Sequence, residues 1–281
     1  MTETVGAALR AAARRLEESG IPGAAWEARH LLSDLTGLTP TQMITDPDQP
    51  LAQAAAYHDW ITRRAAGEPA SRITGFRTFR DLTFRVTGDT LDPRIDSEVL
   101  VDAVLDRTDQ TTTRIADLGT GTGCLLLSLL SERPAWSGIG VDLSHGAVQV
   151  ARENAVRLGL ADRTHLVRGN WSEPLATGSL DILISNPPYI VHGVLRDLDP
   201  AVRDHDPALA LDGGADGLDA YRAIAKDAVR VLKPGALLSL EIGWDQGETV
   251  PALFAAVGFT SMRVIRDSGD RDRVVTARAP G

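Results

Sequence analysis

The sequence predicts an α/β fold: a mainly parallel sheet with helices on both faces, preceded by a small helical domain. Two observations predict it. From Arg114 onward, short apolar runs alternate with helical patterns, the signature of strands joined by crossover helices. The first 66 residues, by contrast, carry apolar residues only at helical spacing.

In chain order, Val5, Leu9, Ala12 and Leu16 form the first stripe, which stops at Gly20. Ala24, Ala28, Leu31 and Leu35 form a second, ended by Gly37, and Ala54, Tyr57, Ile61 and Ala65 a third, ended by Gly67. These read as the core face of a compact bundle over 1–66. From Gly67 to Leu91 the texture changes. Phe76, Phe79, Phe84 and Val86 stand among Thr and Arg, which predicts a β-hairpin linker over 67–92. Residues 93–281 form the α/β domain. Its expected strands are Ile115–Leu118, Ile139–Val141, His165–Val167, Leu180–Ser185, Ala236–Ile242, Thr260–Ile265 and Arg273–Ala277. Only Arg266–Asp272 separates the last two, too little for a crossover helix, so they are expected to form an antiparallel hairpin at the sheet edge.

Bulk properties narrow the function. With 281 residues, 43% of them hydrophobic and 24% charged, the chain can build a core and a solvated surface. The 29 Lys and Arg against 38 Asp and Glu give a net charge of −9, which argues against a broad nucleic-acid face. One cysteine, Cys124, excludes an internal disulfide and a Cys-rich zinc cluster; the histidines show no HxxxH pair, so no metal site is expected. Met1 to Gly20 lacks the apolar core of a signal peptide, and no apolar run is long enough to span a membrane. A reduced, cytoplasmic protein is expected.

Two segments carry chemistry. Gly119, Thr120, Gly121, Thr122 and Gly123 follow the first strand and open a helix at Cys124. Glycines there let the backbone turn sharply and approach a ligand. Such a turn alone also serves dehydrogenases and kinases. Asp142, at the end of the second strand, is placed to accept from ribose hydroxyls. Asn170 and Trp171 follow the third strand: Trp171 offers a flat face and a backbone N–H for adenine, and Asn170 an acceptor for its exocyclic amine. A Trp in that place also serves as core.

The second segment is Asn186-Pro187-Pro188-Tyr189, after the fourth strand. Two prolines end the strand and fix the chain's direction. That aims two acceptors, the Asn186 side-chain oxygen and the Pro187 backbone oxygen, at one point. An amide nitrogen is a poor nucleophile because its lone pair is delocalised. Acceptors on both its N–H bonds orient it and turn the lone pair toward an electrophile. The ring of Tyr189 would hold a flat group and stabilise a nearby sulfonium.

With these residues in place, the sequence resembles class I methyltransferases that act on planar nitrogens. The finer resemblance is to the peptide chain release factor glutamine methyltransferases (the HemK/PrmC family). It covers nearly the whole chain: Gly67-Glu68-Pro69, Leu91-Asp92-Pro93-Arg94 to Ser97-Glu98, Asp206-Pro207 to Leu211, Asp216 to Asp219, Leu240-Glu241-Ile242-Gly243 and Asp272-Arg273-Val274 all contribute. The resemblance implies a Rossmann-like seven-stranded methyltransferase domain joined by a hairpin to a helical N-terminal domain. It implies S-adenosyl-L-methionine bound by Gly119–Gly123, Asp142, Asn170, Trp171 and Asn186, and a substrate glutamine held by Asn186, Pro187, Pro188 and Tyr189. The implied partner is the Gly-Gly-Gln loop of release factors, with residues 1–66 as the spare surface, and a monomer is expected. Asp92, Ile95, Asp96 and Ser97 stand where that family usually has Ile, Pro, Glu and Thr; Asn170 stands where Asp is common, and Ala236 where Gly-Gly is usual. Three rival readings stay in view. An adenine-N6 DNA methyltransferase lacks the basic groove it needs. A dehydrogenase leaves Asn186–Tyr189 unexplained, and a catalytically silent binding module does not account for two intact motifs.

Overall fold

A computed structural model describes residues 3–108 and 112–281. The chain divides into two compact units, Met1–Phe76 with Pro200–His205, and Arg77–Asp199 with Asp206–Gly281.

The first unit contains α1 (Val5–Glu18), α2 (Ala24–Thr36), α3 (Pro40–Thr45), α4 (Ala54–Ala65) and α5 (Ala70–Thr74). The three apolar stripes become α1, α2 and α4. Thr4 caps α1 by accepting from the Ala7 N–H at 3.3 Å, and Gly37 closes α2 in the left-handed region at φ 75°. Val5, Leu16, Leu31, Leu32, Tyr57 and Ile61 pack together, with the Tyr57 hydroxyl donating to the Ala28 carbonyl at 2.8 Å. Helices α3 and α5 are too short to show a periodicity. Local chemistry makes α3 instead: Thr39 and Gln42 form a capping box, and Pro40 starts the helix. Helix α5 lies inside the 67–92 segment that reads as linker, and the first unit runs on past residue 66 to Phe76.

The hairpin is β1 (Phe76–Phe79) and β2 (Leu82–Arg85). The second unit continues with α6 (Glu98–Leu105), β3 (Arg114–Leu118), α7 (Cys124–Glu132), β4 (Ser137–Asp142), α8 (His145–Arg157), β5 (Thr164–Arg168) and β6 (Leu180–Ser185). The short α9 (Pro200–Arg203) belongs to the first unit; then come α10 (Asp219–Val231), β7 (Leu232–Glu241), α11 (Thr249–Ala256), β8 (Thr260–Arg266) and β9 (Asp272–Arg278). A seven-stranded sheet runs in the order β5-β4-β3-β6-β7-β9-β8. The first five are parallel; β9 runs antiparallel between β7 and β8, so the expected terminal hairpin forms with β8 at the edge.

Alternation within strands explains the continuous apolar runs. Ile182 and Ile184 pack with α6 and α7 residues such as Val101 and Leu126. Leu183, between them, packs on the other face with Tyr221 and Ile224 of α10. Both faces are covered, so both sets of side chains are apolar. Strand β7 starts earlier than its apolar run, at Leu232, with a register shift against β6 between Leu180 and Ile182. At the carboxyl ends of this sheet the polar residues Asp117, Asp142, Ser185 and Glu241 gather.

Candidate active site

A cavity of about 400 Å³ opens at these carboxyl ends, wholly within the second unit. Of the residues expected there, Gly119, Thr120, Gly121, Thr122, Asp142, Asn170, Trp171, Asn186 and Pro188 line it. Gly123, Pro187 and Tyr189 are not among its lining.

The glycine turn is built to be bare. Gly119 and Gly121 take φ of 71° and 55°. A Cβ on Gly121 would meet nothing within 4 Å, and one on Gly119 would stand 3.9 Å from Trp171 Cζ3. Side chains at these positions would fill the cradle. Gly123 has a different task. At φ 80° it precedes α7, where a Cβ would press on Leu127 Cδ1 at 3.0 Å. The turn is held from below by Asn154, a fully buried residue. Its amide donates to the Thr122 carbonyl at 2.9 Å and accepts from the Arg85 N–H at 2.7 Å, tying the turn to β2.

Asp142 accepts from the Gly121 N–H and the Ser144 N–H, each at 2.9 Å, one on each carboxylate oxygen. Each oxygen keeps a second lone pair for a hydroxyl. Burial raises the Asp142 pKa, and the backbone donors pull it back. Asn170 donates to Glu173 at 2.8 Å, which leaves its oxygen as the acceptor on offer. Trp171 holds a left-handed φ of 45°, unusual for a bulky residue, and its ring packs on the core while lining the cavity. The bare cradle, a carboxylate with spare lone pairs and a flat aromatic face match the chemistry of S-adenosylmethionine.

Across the cavity lies Asn186, with Nδ2 donating to Ser97 Oγ at 3.2 Å. Tyr189 turns away from the cavity. Its ring packs on the core, and its hydroxyl donates to Glu241 at 3.4 Å. Two buried carboxyls flank this region. Burial pushes Glu241 up to about 7 against the pull of Ser97, Arg273 and Tyr189. Asp117, bonded by the Thr120 hydroxyl at 2.7 Å, is likewise pushed up to about 7 by burial.

The sequence alone assigns no chemical role to Ser97, Asn154, Glu241 or the strap 207–212, although Ser97 and the strap line the cavity. The strap is anchored by Asp206, which pairs with Arg94 and accepts from the Asp92 N–H at 3.3 Å. Apart from Asn154, these residues lie in segments that contributed to the family resemblance. That resemblance was the signal for them.

Comparison with known proteins follows the same division. The family described as "PrmC N-terminal domain" matches residues 7–75, and "Methyltransferase small domain" matches 88–198. A solved methyltransferase from Pyrococcus furiosus shares the fold at TM-score 0.50 and 15% identity, over 70% of this chain and 90% of that one. Fold and cradle together define a class I S-adenosylmethionine-dependent methyltransferase. Among curated proteins, the "Release factor glutamine methyltransferase" of Caulobacter vibrioides is 45% identical over 98% of this chain and 96% of its own. That of Cereibacter sphaeroides is 46% identical over 97% and 98%. The chain belongs to the release factor glutamine methyltransferase family.

Proposed function

We propose that this enzyme methylates the side-chain amide nitrogen (N5) of the glutamine in the Gly-Gly-Gln motif of peptide chain release factors. One observation carries the reading: Asn186 and Pro188 share a single cavity with Gly119–Thr122, Asp142 and Trp171. The acceptor loop and the cofactor cradle therefore face one reacting space.

S-adenosylmethionine supplies an electrophilic methyl group on a sulfonium. Asp142 takes the ribose hydroxyls; Asn170 and the face of Trp171 take the adenine. Asn186 Oδ1, at the cavity, accepts one amide hydrogen of the substrate glutamine, the carbonyl of Pro187, which sits between the lining residues Asn186 and Pro188, accepts the other, and the nitrogen lone pair turns toward the methyl. Tyr189 serves this loop from behind, packed on the core and bonded to Glu241. No general base is needed before transfer, because the leaving proton becomes acidic only once the nitrogen carries the methyl. The catalytic contribution is positioning by fixed dipoles. The helical unit provides contact area for the release factor, since a glutamine on a loop offers little of the area that specific recognition takes. The enzyme works as a monomer in the cytoplasm.

The test is transfer of labelled methyl to an intact release factor, to the same factor with its motif glutamine replaced, and to DNA. Label is expected on the intact factor alone; label on DNA, or on the factor lacking the glutamine, overturns the reading. Asn186→Ala should lower turnover by ~10²–10³-fold with the fold intact, as expected for loss of a preorganised polar group. Asn186→Asp keeps an acceptor oxygen and should retain measurable activity.

A further inference from the structure

The Asn186 amide has two chemically opposite ends, an acceptor oxygen and a donor NH₂. Rotation about its last bond exchanges them. Only one orientation offers oxygen to a substrate N–H, so the orientation has to be held.

Asn186 Nδ2 donates to Ser97 Oγ across 89 residues of sequence. Ser97 is 3% exposed and ends the 3₁₀ turn Ile95–Ser97 that leads into α6. The Glu241 carboxyl, 2% exposed at the end of β7, is a close neighbour of Ser97. Ser97 Oγ accepts from Asn186, and of the two ends of that amide only the NH₂ can donate to it. Glu241 is fixed in turn. The Tyr189 hydroxyl donates to its Oε1, the Tyr221 hydroxyl donates to its backbone carbonyl at 2.9 Å, and Arg273 and Asp96 are its charged neighbours. Among the described residues, nothing donates to Asn186 Oδ1.

We propose that Ser97 is a positioning residue for methyl transfer: it holds the Asn186 amide with its oxygen toward the substrate. The inference rests on the reading that Asn186 Oδ1 accepts from the substrate amide. A plain packing role for Ser97 forecasts something different, a loss that is the same whatever side chain stands at 186.

A double-mutant cycle on the full-length enzyme separates the two, read by single-turnover transfer to an intact release factor. Asn186→Ala alone tests the underlying reading. Ser97→Ala should slow transfer about tenfold, the worth of one hydrogen bond. KM for the factor and affinity for S-adenosylhomocysteine, measured by calorimetry, should be unchanged. Ser97→Thr keeps the hydroxyl and should restore most of the rate. In the Asn186→Ala background, Ser97→Ala should add no further loss. Equal loss in both backgrounds, a fall in cofactor affinity that parallels the rate, or wild-type transfer by Ser97→Ala overturns the inference. Wild-type transfer by Asn186→Ala overturns the reading beneath it, and the inference with it.

Discussion

Asp117 and Glu241 end neighbouring parts of one sheet, 1% and 2% exposed. Burial raises both carboxyls to about 7, from ordinary values of 3.8 and 4.5. The folded state therefore holds protons that the unfolded chain has released. Their stabilising effect is full below the unfolded values and is lost as pH rises through about 7. Denaturant unfolding of the cofactor-free protein should show stability falling between about pH 4 and about pH 7, a window set by these shifts. Asp117→Asn should flatten that slope; an unchanged slope would remove Asp117 from the account. Asp142 makes a second prediction. Its carboxylate holds the Gly121 and Ser144 N–H groups as well as facing the cavity, so Asp142→Ala loosens the turn along with the ribose contact. The lost charged hydrogen bonds should weaken S-adenosylmethionine binding by ~1.5–3 kcal/mol. Calorimetry with unchanged affinity would sink the ribose assignment.

Among the elements, the loop after β6 owes its shape to a partner far along the chain. Ile190 bridges Asp212 in parallel, with the Gly213 N–H donating to the Ile190 carbonyl at 2.8 Å and the Ile190 N–H to the Leu211 carbonyl at 3.0 Å. The backbones come so close that a Cβ on Gly213 would lie 2.8 Å from the Tyr189 backbone. Gly213→Ala should therefore displace the acceptor loop and cut turnover, while circular dichroism shows the sheet intact; full activity in that variant would mean the close approach is unimportant. The strands, the terminal hairpin and the Asn186–Tyr189 motif were legible because alternation and proline act locally. Helices α3 and α5 were not, being shorter than the period that reveals a helix. The turn away from the cavity by Tyr189 was illegible too, since only the distant Glu241 and core show where its ring goes. In the sequence Ser97 stands out only as a departure from a family pattern, and its bond to Asn186 is visible only once the fold closes.

At the scale of the whole molecule, the two units make separable predictions. A chain starting near Gly67 that stays folded, binds cofactor and loses only release-factor methylation would support partner recognition by the helical unit. Full-length rates from that chain would end the proposal. The sheet order has a consequence of another kind. Strand β9, last in sequence, lies inside the sheet between β7 and β8, and the acceptor loop leans on Glu241, while Gln246 donates to the Gly217 carbonyl beside it at 3.1 Å. During translation the glycine turn and Asp142 leave the ribosome long before these supports. A nascent chain can shape its cofactor cradle while its acceptor loop is still unbraced, and chains arrested at successive lengths and assayed for transfer would date the change. Transfer is expected only from chains long enough to include Glu241 and β9, and equal transfer from shorter chains would show these supports to be dispensable.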